Sequence, residues 1–228
     1  MSEIRDALAA LAASDPDLKR FGAAHHRYQL APPGHRSPHD LPTDLIEFVT
    51  TVGASGAGPG YGFLGIATVV EAARPWSKGV VVAHLGCGYA AIASLDGQVW
   101  IDAPAIGVVE PIAPSFTAWY RAWLASTSRS GTGSASGAKW QIVPPNVCPL
   151  PNAVSGFLAL HEQRLGIESG SLSGPALREA LAELGPHAIE IAATDSLLFA
   201  NGTRVDPCET CAELIESLDL PAEVVRPA

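Results

Sequence analysis

Between residues 89 and 101 the chain commits itself to antiparallel pairing. Tyr89–Leu95 and Gln98–Ile101 are short apolar runs separated only by Asp96-Gly97. Two residues of this kind suit a hairpin turn that needs positive backbone angles. A third run, the Val-rich Gly79–Leu85, precedes them and predicts a buried neighbouring strand. Helical patterns flank this centre. Ile4, Leu8 and Leu11 recur at helical spacing near the start. In Leu41–Val52, Leu45, Phe48, Val49 and Val52 form an apolar stripe behind Pro42, which suits a first turn. Ser115 is placed to cap a helix in which Phe116, Trp119, Tyr120, Trp123 and Leu124 make a broad aromatic face, read as core. Helices, then antiparallel strands, then a helix define an α+β class, with an antiparallel or mixed sheet flanked by helices.

The Ser/Gly-rich segment 126–138, STSRSGTGSASGA, sets the domain organisation. Ten of its thirteen residues are Ser, Thr or Gly, too little apolar surface to offset the entropy of ordering. It is expected to be a linker or loop between residues 1–125 and a smaller α/β segment, 139–228. There, Val154–Leu165 and Gly174–Leu184 read as helices, and His187–Ala193 and Leu197–Ala200 as strands joined near Asp195-Ser196. Asp206-Pro207, with Glu209 three residues after Asp206, predicts a helix start at Asp206 that runs to Leu218.

Charge narrows the function. Fourteen basic against twenty-three acidic side chains leave a net charge of −9. A phosphate-binding surface is normally basic, so direct nucleic-acid binding is not expected. The longest apolar stretch, Gly79–Leu85, is far short of the ~20 residues of a spanning helix, so no membrane association is expected. The N-terminus carries Glu3 and Asp6 and lacks the basic start and apolar block of a secretory signal. Four cysteines do not make a disulfide framework, and a cytoplasmic location is the expectation.

Several blocks resemble the SUKH superfamily, the Smi/Knr-type domain of bacterial immunity proteins and fungal cell-wall regulators. They are Phe21-Gly22 with His26–Pro33; Leu41-Pro42-x-Asp44 with Phe48; the glycine-rich Gly56–Gly62; Gly86-Cys-Gly-Tyr89 and Gly97-x-Val-Trp-Ile-Asp102; and Phe116-x-x-Trp-Tyr-x-x-Trp-Leu124. Together they span residues 20–125. One departure is that only Gly34–Asp40 stands where the family usually has an acidic amphipathic helix. The resemblance implies a non-enzymatic protein that neutralises a polymorphic or contact-dependent toxin, often a basic nuclease, by direct association. An acidic protein can block such a partner by covering its phosphate-binding surface.

The residues themselves add candidates. Asp102, at a strand end, is a candidate partner contact, as are Glu209, Glu213 and Glu216. Asp206–Glu223 holds six acids and no base. Pro207-Cys208-x-x-Cys211 is half of the zinc signature of nucleobase deaminases, whose other half is His-x-Glu. Upstream stands His187-Ala-Ile-Glu190, with Ile189 in place of the glutamate, so His187, Cys208 and Cys211 are candidate zinc ligands while deaminase turnover is not expected. The same pair also reads as ordinary helix residues, with Cys211 buried and Cys208 half-exposed, or as a redox pair. Two alternatives to the immunity reading are therefore a zinc-dependent deaminase-like hydrolase in the second half and a general scaffold or regulatory module. His84, in an apolar strand, reads as a hydrogen-bonded core histidine. His25, His26, His35 and His39 fit no standard ligand spacing and read as loop residues.

Overall fold

A computed structural model describes residues 2–18, 26–34, 41–125, 149–168, 170–172, 174–183, 187–189, 191–208, 211–212, 214–215 and 222–224. The element order is α1 (Ser2–Ser14), α2 (Thr43–Thr51), β1 (Val69–Glu71), β2 (Lys78–Gly86), β3 (Tyr89–Ser94), β4 (Val99–Ala103), a 3-10 turn (Pro104–Ile106), β5 (Val108–Ala113), α3 (Phe116–Ala125), α4 (Pro149–Leu165), α5 (Gly174–Glu183), β6 (His187–Ile189) and β7 (Ala222–Val224). The fold is α+β. Strands β1 to β5 form one antiparallel meander in chain order. The expected hairpin lies between β3 and β4, with Gly97 at φ +96° in its turn. The expected linker 126–138 lies outside the described residues.

Two short strands escape the pattern reading. β1 has three residues, too few for alternation to register. β5 contains Pro111, which argues against a central strand, but β5 is the edge of the sheet, where a missing N–H costs no ladder bond.

One face of the sheet carries most of the core. Val80, Val82, Leu85, Ala91, Ala93, Val99 and Ile101 pack there against Ile4, Leu8 and Leu11 of α1, Leu45 and Phe48 of α2, and the aromatic residues of α3. The α3 aromatics are core, as their helical spacing implies. Phe48 sits edge-on to Phe63 and Phe116, and Tyr120 donates its hydroxyl to the Ala57 carbonyl at 2.6 Å. Ser115 caps α3 through the Ala118 N–H at 3.1 Å. A second N–H at that end, from Thr117, goes to the Asp44 carboxylate of α2 at 2.8 Å. Arg5 of α1 donates to the carbonyls of Thr51 and Val52 at the far end of α2, a favourable place for a cation.

The opposite face buries a smaller cluster, Trp76, Val81, Ala90 and Ile92, with Trp100, Leu197 and Leu198 packed on it. This accounts for one correction. Leu197–Ala200 is not a strand, because Leu197 and Leu198 lie on this second face instead of entering a ladder. The pairing also avoids the expected Asp195-Ser196 turn. Residues 191–193 bond to 202–205 instead, through Ala193 N–H to Thr203 O and Val205 N–H to Ile191 O. Asp195 lies inside the connecting loop, its N–H held by the Asn201 side chain at 2.7 Å. β6 is accordingly shorter than expected and pairs in parallel with β7.

The C-terminal segment shares the main core. Leu150, Ile191, Ala193, Val205, Cys208 and Cys211 belong to the same buried cluster as the sheet and α1 to α3. Residues 211–212 and 214–215 are helical, and the Ala212 N–H bonds the Cys208 carbonyl at 2.9 Å. That helix therefore starts after Cys208, later than a cap at Asp206 predicts. The Asp206 carbonyl is occupied elsewhere, by the N–H of Cys87.

Candidate functional site at the β2–β3 turn

β2 and β3 are joined by Cys87-Gly88, with Gly86 opposite Tyr89. Gly86, Cys87 and Gly88 all have positive φ, at +85°, +53° and +79°. Glycine tolerates this conformation freely and a cysteine does not, so the turn holds Cys87 at its apex at some cost. Gly86 is required for a further reason. A Cβ there would lie 2.3 Å from the Pro207 carbonyl oxygen and 2.5 Å from the Cys208 backbone. The absence of a side chain lets residues 206–208 run directly over the turn.

Polar bonds hold that crossing. The Cys87 N–H donates to the Asp206 carbonyl at 2.7 Å, and the Cys208 N–H to the Cys87 sulfur at 3.2 Å. Tyr61, in the glycine-rich loop, donates its hydroxyl to the Pro207 carbonyl at 2.7 Å. Ser196 donates to the Gly88 carbonyl at 2.6 Å. The result is a buried group of three thiols. Cys87, Cys208 and Cys211 place their sulfurs within 4.8 Å of one another, with Cys87 and Cys211 3.9 Å apart. Cys208 and Cys211 are both 0% exposed, so Cys208 is not the half-exposed residue its place at a helix start suggested. Three sulfur donors at such spacing could hold a soft metal ion.

Protein-family models, curated proteins and solved structures offer no match to this chain.

The cysteine pair singled out in the sequence is thus joined by Cys87, a residue that sequence spacing alone did not connect to it. The signal available was Gly-Cys-Gly, a cysteine between two glycines at a predicted turn. His187 lies in β6, and its side chain is outside the described residues. Glu209, Glu213 and Glu216 are likewise outside them.

Asp102 lies in β4 on the second face of the sheet, opposite Ala90, and is 2% exposed. One carboxylate oxygen accepts from Arg74 Nε at 2.8 Å; the other is buried with no hydrogen-bond partner among the described residues. Burial pushes the Asp102 pKa up, and the Arg74 guanidinium only partly opposes it. Its carboxylate is committed to Arg74, and it is Arg74, about a quarter exposed, that reaches the surface there.

His84 stacks on Tyr61 at 5.3 Å between centroids and meets Phe199 edge-on at 4.9 Å. Its Nε2 is buried with no hydrogen-bond partner among the described residues, and on that side the ring acts as an aromatic spacer. Burial lowers its pKa to about 4, with the Asp206 charge opposing. His26 places its Nε2 2.7 Å from the Tyr61 carbonyl and steadies the glycine-rich loop, whereas His25, His35 and His39 lie outside the described residues. Glu162, buried in α4, accepts the N–H groups of Gly170 and Leu172 and closes the turn after that helix. Among the described residues no helix is long and apolar enough to cross a membrane.

Proposed function

We propose that this chain is a cytoplasmic immunity protein of SUKH type, which neutralises a toxin domain by direct, non-catalytic association. The observation that carries the reading is how the resembling blocks meet. Asp44 of the Leu-Pro-x-Asp block bonds Thr117 of the closing helix, 73 residues away in sequence. Tyr120 of that helix bonds Ala57 in the glycine-rich block, 63 residues away. Phe48 packs against the same helix. Blocks that are individually short therefore form one packed unit, as parts of a single domain should.

Charge supports a basic partner. Residues 128–228 carry twelve acids and six bases, against eleven and eight in residues 1–127, so the later segment is the more acidic. A nuclease domain with a basic substrate-binding surface matches that field, and long-range attraction would speed encounter. The test is co-expression with the toxin gene adjacent to this chain's own. The expected result is a complex that co-elutes on gel filtration and protects the host. Neither complex nor protection would sink the reading.

A further inference from the structure

We propose that Cys87, Cys208 and Cys211 are three thiolate ligands of a structural zinc ion that fastens the C-terminal segment to the β2–β3 turn. Tetrahedral zinc with sulfur ligands at about 2.3 Å separates neighbouring sulfurs by about 3.8 Å. Cys87 and Cys211 stand at 3.9 Å, and all three sulfurs lie within 4.8 Å of one another. A disulfide would employ two of these thiols and strand the third; a metal employs all three.

The surroundings suit thiolates. The Cys208 N–H already points at the Cys87 sulfur, and such a donor offsets the negative charge that three thiolates place on a divalent ion. Cys87 is fixed at the apex by its glycine neighbours, and Cys208 and Cys211 are separated by two residues where a helix begins. As each Zn–S bond forms, the thiol gives its proton to solvent, so binding consumes no oxidant and releases three protons. The fourth position is taken by a donor other than these three.

The role is structural because the chemistry of a deaminase is missing at the required spacing. In those enzymes the proton-shuttling glutamate lies two residues after the first ligand. Two residues after Cys87 stands Tyr89, buried at 3% exposure. The burial of all three sulfurs also argues against thiol exchange, which needs an accessible thiolate.

The test uses the full untagged chain, purified without chelator. Elemental analysis should find about one zinc per chain. Cobalt substitution should give thiolate-to-metal charge-transfer absorption and intense visible bands of a tetrahedral sulfur-rich site. Cys87→Ser, Cys208→Ser and Cys211→Ser should each lose most of the metal. Because a lost fold would also lose the metal in such variants, the deciding measurement is on the wild type. Chelation should expose the three thiols to a disulfide reagent, and zinc should protect them again. Zinc below about 0.1 equivalent in protein whose thiols are reduced would overturn the proposal. So would a disulfide between any two of the three, or iron in place of zinc.

Discussion

The backbone N–H of Cys208 lies 3.2 Å from the sulfur of Cys87, a residue 121 positions earlier. This bond ties the C-terminal segment to the turn of the central sheet, and it depends on the bare backbone of Gly86 beside it. Gly86→Ala should therefore be costly. Its methyl group would enter the space of Pro207 and Cys208 in addition to straining a positive φ. We expect a loss of about 3 kcal/mol. Gly97→Ala is the comparison: φ is also positive, but nothing lies within 4 Å, so only the backbone penalty of about 1 kcal/mol remains. Urea unfolding of both variants measures the difference, and equal losses would contradict the crossing described.

Arg74 is the sole polar partner of the buried Asp102 carboxylate among the described residues. Arg74→Met should cost about 3 kcal/mol at pH 8, where the carboxylate is left charged and unpaired. The cost should shrink as pH falls, since burial has already raised the Asp102 pKa and protonation then relieves the charge. The sign follows from linkage. A raised folded-state pKa means that the folded protein takes up the proton first, so acid reduces the penalty. Denaturation curves at pH 8 and pH 4.5 distinguish this from a loss independent of pH.

His84 gives the opposite trend. Its pKa is lowered from 6.5 to about 4, so the unfolded chain binds the proton first. Stability associated with the neutral ring is complete above pH 6.5 and is lost as pH falls towards 4, on the order of 3 kcal/mol in all. His84→Phe keeps the ring contacts with Tyr61 and Phe199 and removes the titration. The difference between wild type and variant, followed from pH 7.5 to 4, should widen only within that window.

Asp44 links two helices through separate oxygens, one to Leu45 N–H and the other to Thr117 N–H. Asp44→Ala leaves the end of α3 short of an acceptor and should cost about 1–2 kcal/mol. Thermal unfolding provides the measurement. Thr117→Ala keeps the backbone donor and should have a much smaller effect.

For partner binding, charge reversal at Glu213 and Glu216 should weaken the complex about tenfold and flatten its salt dependence. Titration at two ionic strengths checks both. Unchanged affinity would assign the excess acidity to solubility alone.

The sequence reading of the first 125 residues and that of the remainder differ in success for a physical reason. The β3–β4 hairpin, α1, α2 and α3 are legible because their signals are local: a two-residue turn, apolar spacing and a capping serine. Residues 195–200 mislead because their structure is decided by what they dock on. Leu197 and Leu198 have the look of a strand but cover Trp76 and Ile92, and Ser196 is engaged by Gly88. The site shows the same limit. Cys208 and Cys211 announce themselves by spacing, whereas Cys87 reaches them only through the folded sheet, and His187 was paired with them by motif alone. Asp102 was legible as a strand residue, but its register against Ala90 puts the carboxylate under Arg74.

The crossing over Gly86 also imposes an order of events on a chain being made. The meander that presents Cys87 is complete long before residues 206–211 leave the ribosome. At about 5–20 residues per second, the intervening 121 residues take roughly 6–25 s. Throughout that interval the apex cysteine is uncovered and open to oxidation or alkylation, and it is sealed only when the end of the chain arrives. A thiol-reactive agent should thus mark Cys87 in nascent chains and spare it once residues 206–211 have covered it.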